Sequence, residues 1–436
     1  MAVSPARTAA FAVLLRVERE SAYAVELLHS ALLDDLSPID RNLTTDIVMG
    51  VLRWRSLLDA SIAGFVPVAL RKLDLEVLIA LRMGCYQLGF LDRIPGHAIV
   101  HESVELVKQA RKRSAAGLVN AVLRKLTRDR FGLVPSGKGL ADVYAHPQWL
   151  IERWVQQFGF DTTEQICRYD QQIPATVLRL TSPRDEAELR ESGVQLAAGA
   201  LMKNARVVVH GDVISTELFR TGRVAIQDEG SQLIAALVGK GKRILDCCAA
   251  PGSKTSAMAS ASPEAEIVAV DIHPHRARLL RRMVASSNVR VITADAVKLP
   301  FASSFDRVLA DVPCSGTGTL ARNPEVKWRL QAEDIVDLHG RQVAILDAAL
   351  KHVSKPGRLV YSTCSLEAEE NEQVVKKCLQ KNPEFRSVPV REELLRLKES
   401  AMLIWEDVDQ LVNGNFLRTI PGIHPCDGFF AAVFEG

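Results

Sequence analysis

The sequence lacks any surplus of charge. Fifty-four basic against 52 acidic residues leave a formal net charge of +2, so no global field marks a nucleic-acid or membrane partner, and any such signal must be local. It also lacks a cysteine framework: its 8 cysteines include no Cys-x-x-Cys pair and no regular spacing, which argues against a disulfide scaffold or a zinc ribbon and fits a reducing cytoplasm. No run of uncharged apolar residues approaches the length of a membrane span. The apolar stretch Ala9–Leu15 is bounded by Arg7, Arg16 and Glu18, no small-residue cleavage pattern follows, and Ala10, Val13, Leu14 and Val17 fall at the spacing of an amphipathic helix rather than a leader. Aromatics are scarce at 6%, which disfavours an extended base-stacking platform. What is present, in 436 residues with 47% apolar and 24% charged, is globular composition with room for about two to four domains.

Three segments differ in pattern. Residues 1–135 read as a helical bundle, with Val100, Val104 and Val107 on one stripe and Val119, Val122, Leu123 and Leu126 on another. Within and beyond it, Lys108, Arg111, Lys112, Arg113, Arg124, Lys125, Arg128, Arg130 and Lys138 stand against a single acid, Asp129, making either a solvated face or a phosphate-binding one. Phe131–Gly139 reads as a linker. Residues 140–230 mix short helices with strand-like runs such as Thr176–Leu180 and Arg206–His210, the mark of a small α+β module. In residues 231–436 strands alternate with helices: Ile244–Cys247, Ile267–Val270, Val289–Thr293, Arg307–Ala310 and Arg358–Ser362. That alternation predicts an α/β, Rossmann-like, doubly wound and largely parallel sheet.

In such a sheet ligands bind beyond the carboxyl ends of the strands, so the residues after each strand carry the chemistry. After the first comes Asp246-Cys-Cys-Ala-Ala-Pro-Gly-Ser-Lys-Thr255, a small-residue loop opening a helix, which lets backbone approach a ligand. It is not a P-loop, because Ser253 separates Gly252 from Lys254. Asp271 ends the second strand, where a carboxylate grips ribose hydroxyls, and Asp295 follows the third, either holding an adenine amine or capping its own turn. With no Gly-x-Gly-x-x-Gly, this layout suits S-adenosylmethionine better than a nicotinamide dinucleotide, and a dehydrogenase is disfavoured. The fourth strand leads into Asp311-Val-Pro-Cys-Ser-Gly-Thr-Gly318 and the fifth into Tyr361-Ser-Thr-Cys-Ser-Leu366, so Cys314 and Cys364 stand at adjacent edges. Cys85, Cys167 and Cys378 read as buried small hydrophobes, and a metal site drawing on His424 and Cys426 is disfavoured by the scattered spacing. A thiol beside a methyl donor has a chemical rationale. Carbon 5 of cytosine is too weakly nucleophilic to take a methyl group until a thiolate adds at carbon 6 and turns the ring into an enamine. Asp311 would then hold the N3/N4 edge.

These loops, with Glu369-Glu-Asn-Glu372, resemble the signatures of the RNA cytosine-5 methyltransferases, as do Gln227-Asp-Glu-Gly-Ser-Gln232 and His424-Pro-Cys-Asp-Gly-Phe-Phe430. Asp40-Arg-Asn and Gly117-Leu-Val-Asn-Ala-Val-Leu-Arg124 resemble a NusB-like RNA-binding domain, and the pairing is similar to the bacterial 16S ribosomal RNA methyltransferases of the RsmB type. The resemblance implies Cys364 as nucleophile and Cys314 for product release. For S-adenosylmethionine it implies contacts from Cys248, Ala249, Ala250, Pro251, Gly252, Ser253 and Lys254 with Asp271, Asp295 and Asp311. As partner it implies RNA, either 16S ribosomal RNA or a small-subunit assembly particle, recognised by a cytoplasmic monomer without metal or membrane. It also shifts the basic cluster toward phosphate contact. Transfer RNA as substrate, or a noncatalytic NusB-like assembly factor, are the alternatives. The chain departs from the family at Ser253, which replaces a glycine and would strain the loop by about 1 kcal/mol if that position needed a positive φ, and at Arg322–Trp328, where the substrate-loop wording is loose.

Overall fold

The computed structural model describes residues 3–128, 133, 135–284 and 286–436, which divide into two compact units. Linker residues 131, 132 and 134, with Asp129 and Arg130 of the basic cluster, lie outside the described residues, as does the side chain of Arg128.

The first unit takes in residues 1–173 and 320–329. Its longer helices are α1 (Pro5–Glu20), α2 (Pro38–Arg53), α3 (Arg55–Ala63), α4 (Leu75–Phe90), α5 (Gly96–Gln109), α6 (Ala116–Arg128), α7 (Gln148–Phe158) and α8 (Phe160–Asp170). Local sequence sets their ends: Ser37 Oγ accepts the Asp40 N–H at 3.2 Å and Pro38 occupies the first turn of α2, where its missing N–H costs nothing. Ala10, Val13, Leu14 and Val17 are all buried, as the helical spacing predicts, in a core shared with Ile47, Leu58, Leu81, Val107 and Val122. Residues 320–329 belong to this unit through polar contacts as well. Trp328 Nε1 donates to Leu52 O at 2.6 Å and Lys327 Nζ to Arg53 O at 3.0 Å, capping carbonyls that the end of α2 leaves without helical partners.

The second unit begins with a four-stranded antiparallel sheet of order β2-β3-β1-β4, made of β1 (Val177–Leu180), β2 (Gln195–Ala198), β3 (Ala205–His210) and β4 (Val224–Ile226), with α9 (Arg184–Glu191) after β1. Then follow α10 (Glu229–Val238), β5 (Arg243–Asp246), α11 (Ser253–Ala261), β6 (Glu266–Asp271), α12 (Pro274–Met283), β7 (Val289–Thr293), β8 (Phe305–Asp311), α13 (Ala332–Leu350), β9 (Val353–Thr363), α14 (Glu372–Lys381), β10 (Arg386–Val388), α15 (Val390–Glu399), β11 (Val412–Asn413), β12 (Phe416–Thr419) and β13 (Phe429–Glu435). The large sheet has the order β11-β12-β13-β9-β8-β5-β6-β7, with β10 on β13. Strands β7, β6, β5, β8 and β9 are parallel, and β13 closes against β9 antiparallel. Both sheet faces are covered, which is why Ile244, Val270, Leu309, Val360 and Tyr361 are all fully buried. The chain runs outward from β5 through β6 to β7 and then returns to β8, so the order reverses between β5 and β8, where doubly wound sheets bind their ligands.

Candidate active site

At the end of β5, Asp246 is buried and receives the Thr255 hydroxyl at 2.7 Å; burial pushes its carboxyl up to about 7. The loop that follows turns at Gly252, whose φ of +118° suits glycine, and a Cβ there would lie 2.6 Å from Val284 Cγ2 and 2.7 Å from Leu280 Cδ1. Ser253 is the first residue of α11 and has no positive φ, so the strain expected of a serine in this loop does not arise; the special backbone belongs to its neighbour. Cys248 is partly exposed, Ala249, Ala250 and Gly252 are buried, and Pro251 is exposed. Arg276 Nη2 donates to Ala250 O at 3.0 Å and steadies the loop from α12, a role that sequence reasoning missed.

Asp271 is buried at the end of β6, its Oδ1 accepting the His273 N–H at 2.9 Å and its Oδ2 facing Arg276 at 3.9 Å. Asp295 is exposed, and its Oδ1 accepts the Val297 N–H at 2.9 Å, the turn-capping arrangement left open from the sequence. Both oxygens of Asp311 are engaged, by Lys254 Nζ at 2.7 Å and by Ser362 Oγ at 2.6 Å. Burial alone would lower the Lys254 ammonium, but Asp311 outweighs it and the net direction is upward, so Lys254 is a cation. That ammonium also sits over the Phe429 ring, 5.2 Å from its centroid.

The two thiols meet because β8 and β9 are parallel and in register, with Asp311 opposite Ser362. Cys314 and Cys364 each leave the sheet a few residues beyond that pair, and their sulfurs are 3.3 Å apart. The hydrogen bond with Cys364, reinforced by burial, holds the Cys314 thiol well above the usual thiol range. Glu370 locks the two loops together from below. Its buried carboxylate accepts the Ser315 N–H and the Gln342 side-chain amide at 2.8 Å each, and also the hydroxyls of Ser315 and Ser365, the residues immediately after the two cysteines. Asn371 adds a bond to Ser365 O at 2.9 Å. Sequence reading had Glu370 only as part of a signature; the acid-rich run Glu369–Glu372 was the available signal.

Cys85, Cys167 and Cys378 are buried free thiols, matching their reading as small hydrophobes. The basic cluster is partly neutralised: Lys108 pairs with Glu105 at 2.7 Å and Lys112 with Asp74 at 3.1 Å, whereas Arg124 and Lys125 are exposed on α6. No helix among the described residues is long and apolar enough to cross a membrane.

The residues at the β5 and β6 ends fit a nucleoside sulfonium. A glycine cradle with no room for a Cβ lets the ligand meet backbone, and the buried Asp271 carboxylate stands where ribose hydroxyls need an acceptor.

Comparison with known proteins shows the family and the fold. The family model described as 16S rRNA methyltransferase RsmB/F matches residues 235–435, that of the NusB family residues 4–128, and that of a RsmF/B-like ferredoxin-like domain residues 146–206. The probable ribosomal RNA small subunit methyltransferase B of Bacillus subtilis (strain 168) is 32% identical, covering 97% of this chain and 97% of that protein. The ribosomal RNA small subunit methyltransferase B of Pseudomonas putida is 34% identical over 83% of this chain and 86% of its own. The crystal structure of PH0851 covers all of both chains with a TM-score of 0.82 at 23% identity, which shows a shared fold.

Proposed function

Because this chain belongs to the 16S rRNA methyltransferase RsmB/F family, we propose that it methylates carbon 5 of a cytosine in 16S ribosomal RNA through a covalent cysteine adduct. It is an RNA methyltransferase and S-adenosylmethionine is its methyl donor. In the proposal, residues 1–135 and 140–230 bind RNA, residues 231–436 carry out the chemistry, and the enzyme acts as a cytoplasmic monomer.

The observation that carries the reading is the 3.3 Å approach of Cys314 and Cys364 beside the Lys254–Asp311 pair. When bound, the cofactor supplies an electrophilic methyl group. Cys364 adds to carbon 6 of the cytosine, and carbon 5 becomes nucleophilic enough to take that methyl. Asp311, oriented by Ser362 and Lys254, accepts from the N4 edge and balances the charge that gathers on the ring. After methyl transfer Cys314, once its own proton has passed to solvent, takes the proton from carbon 5; the C6–S bond then breaks and its electron pair leaves on the Cys364 sulfur. Asp271 and the loop Cys248–Lys254, with Asp295, hold the donor. The target cytosine must leave its stack to reach the thiols.

Two variants separate these roles. Cys364→Ala is expected to lose methyl transfer, by about a thousandfold or more. Cys314→Ala is expected to accumulate RNA-linked protein that survives denaturation. Near-normal turnover by Cys364→Ala, or an RNA adduct formed by that variant, would overturn the assignment.

A further inference from the structure

Between Ile272 and Ala294 the sequence carries five arginines, Arg276, Arg278, Arg281, Arg282 and Arg290, and no Asp or Glu, within a chain whose net charge is only +2. Most of this stretch is helix α12 and strand β7. Three of the five have work inside the unit: Arg276 bonds Ala250 O, Arg281 bonds Val291 O at 3.2 Å, and Arg290 pairs with Glu266 at 3.2 Å. Among the described residues Arg278 and Arg282 have no such partner. They are exposed, lie one helical turn apart, and share a face with exposed His275 three residues before Arg278.

A merely solvated helix face is built differently in the same unit. On α9 Arg190 meets Glu186 at 2.7 Å, and on α15 Arg396 meets Glu392 at 3.8 Å, each at i,i+4. On α12 the i,i+4 partner of Arg278 is another arginine, and the first turn holds no acid although a helix N-terminus favours anions. The opposite face is anchored. Leu280 and Val284 are buried with Ala249 and Ala250 of the cofactor loop, so whatever docks on α12 docks on the helix that supports the loop.

We propose that the solvent face of α12, formed by His275, Arg278 and Arg282, is a docking surface for the phosphodiester backbone of the substrate RNA. The inference rests on the reading of the chain as an RNA methyltransferase, and charge complementarity selects the occupant: two arginine cations with no acidic partner among the described residues suit a polyanion whose phosphates they neutralise with release of counterions. Such contacts position a strand without reading its sequence.

The test uses the full-length protein and an unmodified 16S ribosomal RNA transcript, comparing wild type with Arg278→Gln/Arg282→Gln. Binding is measured across about 50 to 200 mM salt. Loss of two phosphate contacts is expected to reduce the slope of log affinity against log salt by about 1.5 and to weaken binding about tenfold at the low-salt end. KM for RNA should rise with kcat nearly unchanged, while cofactor affinity and melting temperature stay at wild-type values. Arg278→Lys/Arg282→Lys, which keeps the charge, should restore the slope. An unchanged slope and affinity in the Gln variant would overturn the docking surface and leave the face to a different partner. Failure of wild type to methylate any RNA while the Gln variant still lost the slope would instead overturn the enzymatic reading and spare the surface.

Discussion

At the residue scale, the site depends on one buried carboxylate that touches neither thiol. Glu370 receives donors from Ser315, Ser365 and Gln342, so it fixes the loops on which Cys314 and Cys364 ride. Glu370→Ala leaves several buried donors unmet at about 1–3 kcal/mol each and is expected to destabilise the protein markedly. Glu370→Gln keeps the volume and is expected to fold, to bind cofactor and RNA normally, and to lower kcat at least tenfold by loosening the 3.3 Å sulfur pair. Single-turnover methyl transfer at saturating substrates checks this, and an unaltered rate constant would refute the positioning role. The strand-end positions of Asp246, Asp271, Asp311, Cys314 and Cys364 were legible from the sequence, because the apolar runs of β5, β6, β8 and the end of β9 stand out from the helices between them. Glu370 and Arg276 were not. Their importance lies in contacts to Ser315 and Ala250, 55 and 26 residues away in the chain, and no local pattern encodes such distances.

At the element scale, the loop after β5 is set by a backbone conformation rather than by side chains. Gly252→Ala would put a methyl group into Val284 and Leu280 at a φ of +118°, and the turn must shift. Cofactor affinity, read by calorimetry, is expected to fall at least tenfold with the sheet intact. Ser253→Gly, by contrast, is expected to gain nothing, because that position is already helical. The alternation of strands and helices was readable, and β5 to β8 lie within about two residues of the expected runs. The start of β9 was less so: it begins at Val353 instead of Arg358, because it pairs with β8 at Phe305 and then, from Arg358 onward, with β13 as well. Strand β13 itself, the apolar run Phe429–Phe434, is buried on both faces and so shows no alternation to betray it.

At the scale of the whole molecule, the chain is not divided strictly in sequence order. Residues 320–329, which follow directly on the Pro-Cys loop, pack with residues 1–173, and sequence reasoning could register only that Arg322–Trp328 departed from the family wording. Contacts such as Trp328 to Leu52 and Lys327 to Arg53 span more than 270 residues, beyond any local signal. Lys327 is buried, and burial lowers its ammonium from 10.5 to about 7. Between about pH 7 and 10.5 the unfolded chain therefore holds a proton that the folded chain has released, so this group's contribution to stability rises with pH across that window and is lost as pH falls toward 7. Relative to Lys327→Met, wild type is expected to gain a few degrees of melting temperature over that range, and parallel profiles for the two proteins would contradict it.

The most direct trial of the whole reading is transfer of an isotopically labelled methyl group from S-adenosylmethionine to unmodified 16S ribosomal RNA and, in parallel, to transfer RNA, with the labelled nucleoside identified after digestion. Label recovered as 5-methylcytidine from the ribosomal RNA alone is the expected result. Label at another base or another ring position would contradict the covalent cysteine route, and label in transfer RNA alone would contradict the assigned substrate.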